Sequence, residues 1–253
     1  MGILIMLRIN TSTLRILLCI TVIACTAISG NALAQDRDPR VMLNQMSAEI
    51  AKLDSFVLSG DAYADATLGA GQIIEQSYDV RTSVRKPSEI RITNQNAEFT
   101  GEIFFENGVL TVFNSGRNFY AKKPIPDGFK DAIDFALNDI GIEAPLLDLI
   151  SRDFAKLVST EGVEVDDLGT SLFRGELHDH IAIRGPEVDM QLWIAAEGPP
   201  LPRKMSLISR WEGGSPRFVV FLSWDTSPKF SSDTFRFVPP DGATQIEFIP
   251  NSQ

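Results

Sequence analysis

The segment 101–113 constrains the fold more than any other part of the sequence, because it has the pattern of two strands joined by a tight turn. Asn107 and Gly108 form a dipeptide favoured in two-residue hairpin turns, in which both positions need a positive φ. Such a turn sets Phe105 opposite Leu110, and alternation along the strands puts both side chains on one face. We therefore predict a hairpin whose apolar face points to the interior.

Other segments have the alternation and the β-branched or aromatic residues that are typical of strands. They are predicted at 56–60, 73–80, 89–93, 163–168, 170–177, 178–184, 188–195, 204–211, 218–224 and 235–238. The pattern predicts a mainly β (α+β) fold. It would be a single curled antiparallel sheet, or incomplete β-barrel, of about 10–11 strands.

Two helical regions are expected to cover this sheet. Asp38 is a good N-cap, Pro39 stands at the first helical position, and the helix should end near Leu53. It carries a mostly apolar stripe of Val41, Met42, Met46, Glu49, Ile50 and Leu53. A second region spans 127–157, with Gly141 as a stop and Pro145 as a new start. Its helices are either ordinary core helices or an apolar lid over a cavity, and the sequence leaves both open.

The first 34 residues have the pattern of a cleaved signal sequence. Arg8 and Arg15 precede an apolar run over 16–28, and a small-x-small site ends at Ala34. At about 1.5 Å per residue the run is roughly 20 Å long, shorter than the ~30 Å hydrocarbon core of a membrane. We predict secretion to the periplasm, cleavage after Ala34, no transmembrane span in the mature chain, and one domain over 35–253.

A second processing route is lipidation. The four residues 22–25 loosely fit the box at which bacterial lipoproteins are cut and lipidated on cysteine, which would tether Cys25 to a membrane. Both cysteines, Cys19 and Cys25, precede Ala34. Cleavage at Ala34 therefore removes thiol catalysis and cysteine-ligated metals from the mature chain.

The charge balance argues against two classes of partner. Removing Arg8 and Arg15 from the 23 basic residues leaves 21 against 33 acidic ones. A chain so acidic is not expected to bind nucleic acid or to dock on anionic lipid head groups.

His178-Asp179-His180 is the one cluster suited to metal binding or acid–base chemistry, and its histidines are the only two in the chain. Strand alternation puts both imidazoles on the same face. A metal site needs further ligands, and nothing in the sequence fixes them. Nucleophile elbows and phosphate-binding glycine loops are absent from the sequence. We expect hydrogen-bonded strand histidines, no cofactor, no metal site, no catalytic residue, and no enzymatic activity.

Strands near the carboxy terminus have strongly apolar faces. Phe218, Val220, Leu222 and Trp224 share one face of their strand, and Met190, Leu192 and Ile194 share a face of another. A packed core and an apolar ligand cavity explain these faces equally well.

Several motifs together resemble a known family. The segments that carry the resemblance are 85–91, 106–112, 118–121, 180–184, 186–194, 200–204, 224–225 and 235–243. They are similar to the predicted periplasmic proteins that are grouped with the LolA/LolB lipoprotein carriers. The resemblance implies a curled sheet with helices in its mouth. It also implies, by analogy of fold, a cavity of the kind that receives acyl chains in the carriers. Two positions depart from the family pattern, because His178 stands where a cysteine is usual and Met190 where tryptophan is common.

We expect a non-enzymatic periplasmic carrier or binding protein for an acylated or otherwise apolar ligand, such as a lipid or lipoprotein. Its cavity would be lined by Phe105, Leu110, Val112, Leu192, Ile194, Met205, Phe218, Val220, Leu222 and Trp224. The alternative is an interaction or sensor module of the cell envelope, with a filled core and a protein partner. The sequence does not say which sheet face is concave.

Overall fold

Twelve strands of the described residues form one sheet in the computed structural model. The structure describes residues 37–97, 100–125, 129–136, 145–210 and 216–248, all within one compact unit. The predicted signal sequence, its cleavage site at Ala34 and the alternative lipidation site Cys25 lie outside the described residues.

The strands are β1 Ser55–Thr67, β2 Ile73–Arg85, β3 Glu89–Gln95, β4 Thr100–Glu106, β5 Val109–Asn114, β6 Phe119–Pro124, β7 Glu164–Phe173, β8 Glu176–Arg184, β9 Val188–Ala195, β10 Pro202–Ser209, β11 Arg217–Asp225 and β12 Thr244–Ile246. The helices are α1 Pro39–Lys52, α2 Phe129–Asp134, α3 Pro145–Ser151 and α4 Phe154–Leu157, and Gly69–Gly71 forms a 3₁₀ turn.

The sheet is built outward from β1. Its order is β12-β6-β5-β4-β3-β2-β1-β11-β10-β9-β8-β7, so β2 to β6 lie on one side of β1 and β7 to β11 on the other, while β12 returns to pair with β6. Neighbouring strands are antiparallel except for β12, which runs parallel to β6. The predicted class, a mainly β chain with a single open sheet, is confirmed, with one or two more strands than expected.

The hairpin of β4 and β5 has the predicted register. Phe105 is paired with Leu110, and Asn107 and Gly108 have φ values of 52° and 73°. The turn chemistry therefore fixed the pairing locally, as expected for a two-residue turn.

The prediction of three strands over 163–184 is wrong in its boundaries, because the segment forms the single hairpin β7–β8. Gly169, which has a φ of 85°, lies in an irregularity of β7 between Asp167 and Thr170 and does not end the strand. The turn falls instead at Arg174 and Gly175, with φ values of 50° and 82°. A bulge absorbs the extra residue while the ladder continues on both sides.

The predicted strand at 235–238 is also wrong. This segment forms turns and irregular backbone, and the short β12 follows it. Phe235 is buried, and the ring of Phe237 lies 5.2–5.6 Å from those of Phe104, Phe113 and Tyr120. Phe235 and Phe237 thus pack their rings over the sheet, which needs no ladder hydrogen bonds.

The two faces of the sheet have different covers. One face, called here the helix-covered face, carries the apolar side chains of two core clusters. Val84 in one cluster is paired with Ile90 in the other, so both clusters lie on this same face. The opposite face is partly covered by the segment 226–243, whose Phe237 lies over β4, β5 and β6.

Helix α1 follows the prediction at both ends. The Asp38 side chain accepts a hydrogen bond from the Arg40 backbone N–H, and Leu53 is the C-cap. Its buried residues are Leu43, Met46 and Ile50. The expected place of Val41 in the apolar stripe is wrong, because its side chain is 50% exposed.

The mid-chain region has the predicted helix start at Pro145, but the single helix expected from there to Leu157 is interrupted, because α3 ends at Ser151 and α4 begins at Phe154. Helix α3 starts at Pro145, and the buried residues Ala132, Ile133 and Ala136 follow the expected spacing. The predicted stop at Gly141 lies outside the described residues.

Candidate functional site

All ten residues predicted to line an apolar cavity lie on the helix-covered face. Phe105, Leu110 and Val112 belong to the smaller core cluster or pack against it. The larger cluster includes Leu192, Ile194, Met205, Val220 and Leu222, with Phe218 and Trp224 packed against it. The structure therefore brings the ten residues to one face in two adjoining groups.

These side chains are closely enclosed. Seven of the ten are no more than 5% exposed, and Val112, Phe218 and Trp224 are half-buried. Trp224 is also held by a hydrogen bond of 2.8 Å from its indole N–H to the Pro202 carbonyl, and its ring lies 5.5 Å from that of Phe56. The positions are thus filled by packed protein in this state.

Short helices provide much of the cover. Leu146 and Leu149 of α3 belong to the larger cluster, whereas Leu147 of the same helix belongs to the smaller one. Ile150 packs against both clusters. Helix α3 therefore lies over the junction between the two groups of predicted lining residues.

The prediction missed residues of the central strands β1 and β2 that belong to the same apolar cluster as the predicted lining residues. Phe56, Leu58 and Val84 are at most 1% exposed and belong to the larger cluster. Their alternation in β1 and β2 was a usable signal. Their place beside the carboxy-terminal residues depends on the pairing of β1 with β11, which sequence patterns do not give.

A polar clamp closes one edge of the helix-covered face. Arg37 pairs with Asp167 at 2.9 Å and with Asp179 at 2.7 Å, and it donates to the Thr170 hydroxyl. Burial alone lowers the pKa of Arg37, but hydrogen bonds and attraction from the two carboxylates outweigh burial, so its pKa is raised. The clamp attaches the start of the described chain to β7 and β8.

The two histidines lie on the opposite face, where they are hydrogen-bonded. His178 is 1% exposed and its Nδ1 lies 3.0 Å from the Glu176 carbonyl, while His180 Nε2 lies 3.0 Å from Gln191 Oε1. Burial lowers the pKa of His180, and nearby Lys204 adds to this, against the opposing effect of the Gln191 hydrogen bond. Within the described residues, no group of three or more His, Cys, Asp and Glu side chains could hold a metal ion.

Aromatic rings and cations alternate beside these histidines. The Lys204 ammonium lies 4.1 Å from the centre of the Trp193 ring, which stacks on His180, and 5.5 Å from the Phe221 ring. Burial lowers the pKa of Lys204, and the charge of Arg217 lowers it further. Cation–π contacts of this kind stabilise a partly buried ammonium without a carboxylate partner.

Two cavities open on the opposite face, which the sequence did not single out. One has a volume of about 630 Å³ and is bordered by β1, β2, β3, β11 and residues 229–234. The other, of about 340 Å³, lies between Tyr63 and Lys204. Among the ten predicted lining residues, only Leu222 borders either cavity.

Comparison with known proteins gives a family match and similarities of fold. Residues 40–249 match a family model described as a predicted periplasmic protein (DUF2092). No curated protein matches the sequence.

Solved structures with a similar fold come from several bacteria. The lipoprotein LppX of Mycobacterium tuberculosis has 14% identity and a TM-score of 0.45, over 77% of this chain and 99% of its own. LprF of Mycobacterium bovis has 14% identity and a TM-score of 0.42, over 81% and 97%. A LolA superfamily protein of Nitrosomonas europaea has 13% identity and a TM-score of 0.36, over 79% and 98%.

Proposed function

The chain belongs to the DUF2092 family of predicted periplasmic proteins, and from that premise we propose that it is a non-enzymatic periplasmic protein that binds an acylated or otherwise apolar ligand. Membership of this family confirms the resemblance found in the sequence. Within the described residues, no helix has the length and apolar character needed to cross a membrane. One observation carries the proposal. Much of the helix-covered face is covered by very short helices.

These helices depend on packing for their stability. Helices α2, α3 and α4 have 6, 7 and 4 residues, whereas an isolated helix is marginal in water below about 12–15 residues. They keep their places because Leu146, Leu147, Leu149 and Phe154 are buried against the sheet. An apolar ligand could replace those contacts, so the cover is the element best suited to move.

Ligand entry requires displacement of the cover, because the ten predicted lining residues are packed in the present state. Each methylene of an acyl chain would contribute about 0.8 kcal/mol on burial. A chain of roughly twelve carbons would thus supply about 10 kcal/mol before the costs of ordering and of opening the cover are subtracted. The helices would then rest on the ligand and keep its chain out of water.

The location of the mature protein is part of the same proposal. Cleavage after Ala34 would release residues 35–253 as a single diffusing domain, whereas lipidation of Cys25 would anchor it. The mass of the protein purified from the periplasm distinguishes the two, since only the second product carries acyl groups covalently.

A second candidate is an interaction module with a filled core. The close packing of the predicted lining residues favours it. So do two exposed leucines on the hairpin at the sheet edge, Leu172 at 73% and Leu177 at 51%, which are directly paired. Under this alternative the partner is a protein of the cell envelope and the helices do not move.

Native mass spectrometry followed by lipid extraction tests the first candidate. Protein purified from the periplasm of a related host should carry an acylated species at close to one per chain. An apo mass that persists after incubation with fatty acids and lipopeptides would contradict ligand binding and favour the interaction module.

A fluorescent label tests the motion of the cover. A mature protein without cysteine allows single labels, with exposed Ser151 in α3 changed to cysteine and exposed Ser232 as the matched control. An environment-sensitive dye at position 151 should change its emission on addition of a fatty acid, and the dye at 232 should not. Equal responses at both sites would contradict a local opening.

A further inference from the structure

We propose that the opposite face of the sheet carries a second site, which binds a phosphoryl group. This inference does not depend on the proposed apolar site, because the two lie on different sides of the sheet. The site is the cavity of about 630 Å³, called here the cationic cavity. Its charged lining residues are Arg81, Arg91, Arg174, Lys229, Asp61 and Asp79.

A row of donors crosses the floor of the cationic cavity. Ser223 of β11 is paired with Ser59 of β1, Ser59 with Arg81 of β2, and Arg81 with Thr93 of β3. Residues paired in this way lie on the same face, about 4.5–5.5 Å apart. The row therefore offers one guanidinium flanked by hydroxyl groups, a donor set that suits phosphate oxygens.

The wall of the cationic cavity is anchored. The Thr234 carbonyl accepts a hydrogen bond of 3.4 Å from Arg91 Nη1, and the guanidinium carbon of Arg85 lies 5.0 Å from the centre of the Phe235 ring. Further along, Phe237 packs on three aromatic rings of the sheet. The segment 229–234 thus holds its distance from the floor, and the site exists before a ligand binds.

Two of the four cations are already engaged. Arg91 donates to Glu102 Oε1 at 3.1 Å, and Arg174 lies over the Phe221 ring at 4.9 Å with Asp61 at 3.9 Å. Arg81 and Lys229 form no ion pair with any residue that the structure describes. They are the two free positive charges of the cavity.

Two free cations match the charge of a phosphate monoester, which is about −1.5 to −2 at neutral pH. The local charge is opposite to that of the chain, whose formal net charge is −10. This net charge opposes docking on an anionic membrane, so a soluble phosphate ester is the favoured source of the phosphoryl group. Exposed Asp79 repels an anion, which gives the site a substitution that should strengthen binding.

Calorimetric titration of the mature protein with inorganic phosphate tests the site. We expect saturable binding at one ion per chain. The double substitution Arg81→Gln and Lys229→Gln should weaken it about tenfold or more. Asp79→Asn should tighten it severalfold. The control is Arg40→Gln with Lys156→Gln, which removes the same charge from exposed positions outside the cavity.

Absence of saturable binding, or equal weakening in the control variant, would overturn the proposal. All of these side chains are exposed, and each variant's far-ultraviolet circular dichroism checks that it folds. The single substitution Lys229→Gln, on the irregular segment, is a second test, and it should also weaken phosphate binding.

Vesicles distinguish the source of the phosphoryl group. If the protein floats with phosphatidylglycerol vesicles and inorganic phosphate releases it from them, the source is a lipid head group. Phosphate binding without flotation would assign a soluble ester. Either outcome supports the site, and binding of inorganic phosphate should weaken in acid, where the ion loses its second negative charge.

Discussion

Gly60 lies where the backbone of β11 leaves no room for a side chain on β1. A Cβ atom at this position would stand 2.2 Å from the Phe221 carbonyl oxygen, and a backbone atom cannot turn aside as a flexible side chain can. The requirement is one of space alone, because Gly60 is not among the glycines with a positive φ. The central pairing of the sheet therefore depends on the absence of one methyl group.

Gly60→Ala should lower the free energy of unfolding by about 3 kcal/mol, because the two strands must separate to admit the new atom. Gly69→Ala is the matched control, since its Cβ would meet nothing within 4 Å. Urea denaturation measures both. A loss at position 60 no larger than the control's, about 0.5 kcal/mol at most, would contradict the close approach.

His180 gives stability a dependence on pH. Burial lowers its pKa, so in acid the unfolded chain binds a proton before the folded chain does. Its contribution to stability is therefore complete above the ordinary histidine pKa of about 6.5 and declines as the pH falls from there through the lowered pKa. His180→Gln should flatten the change in unfolding free energy between pH 7 and pH 5. Denaturation curves across that range check this, and an unchanged slope would contradict it.

Apolar residues of the short helices and of the β7–β8 hairpin at the sheet edge differ in how much each contributes to the free energy of unfolding. Leu147 of α3 is 2% exposed in the smaller core cluster, whereas Leu172 of β7 is 73% exposed. Both residues are leucines, so the comparison isolates the difference in burial.

Leu147→Ala should lower the free energy of unfolding by about 2–5 kcal/mol through lost burial and the cavity it leaves. Leu172→Ala should change it by about 0.5 kcal/mol or less. Urea denaturation of the two variants makes the comparison. A small loss at 147 would mean that α3 is already displaced in solution, which would also bear on the proposed opening of the cover.

On the scale of the whole molecule, the carboxy-terminal segment acts as the cover of the opposite face. It leaves β11 beside β1, crosses the strands on the other side of the sheet, and ends as β12 beside β6. Phe235 is its buried anchor, at 1% exposure, and Val238 three residues later is 64% exposed.

Phe235→Ala should destabilise the protein by about 3–5 kcal/mol, since a large aromatic side chain leaves a packed site. It should also weaken phosphate binding, because the wall of the cationic cavity loses its anchor. Val238→Ala, the exposed control, should do neither. Retention of full stability by the Phe235 variant would show that the segment does not hold the sheet.

How well the sequence predicted each part follows from the range of the forces involved. Asn107-Gly108 and the Asp38 cap act over a few residues, through allowed φ values and local hydrogen bonds, and both were predicted. The family pattern and the mainly β class were also evident in the sequence. The predicted strand break between 168 and 170 was wrong because a bulge and a turn have the same local signature.

The sequence by itself determined the strand alternation, the hairpin register, the start of α1 and the sharing of a face by residues such as Val220 and Leu222. Only the tertiary structure decided that β1 pairs with β11, which face of the sheet the helices cover, and that residues 229–234 wall a cationic cavity on the other face. Pairings between distant segments depend on the surface that the whole chain buries at once, and no local pattern encodes that sum.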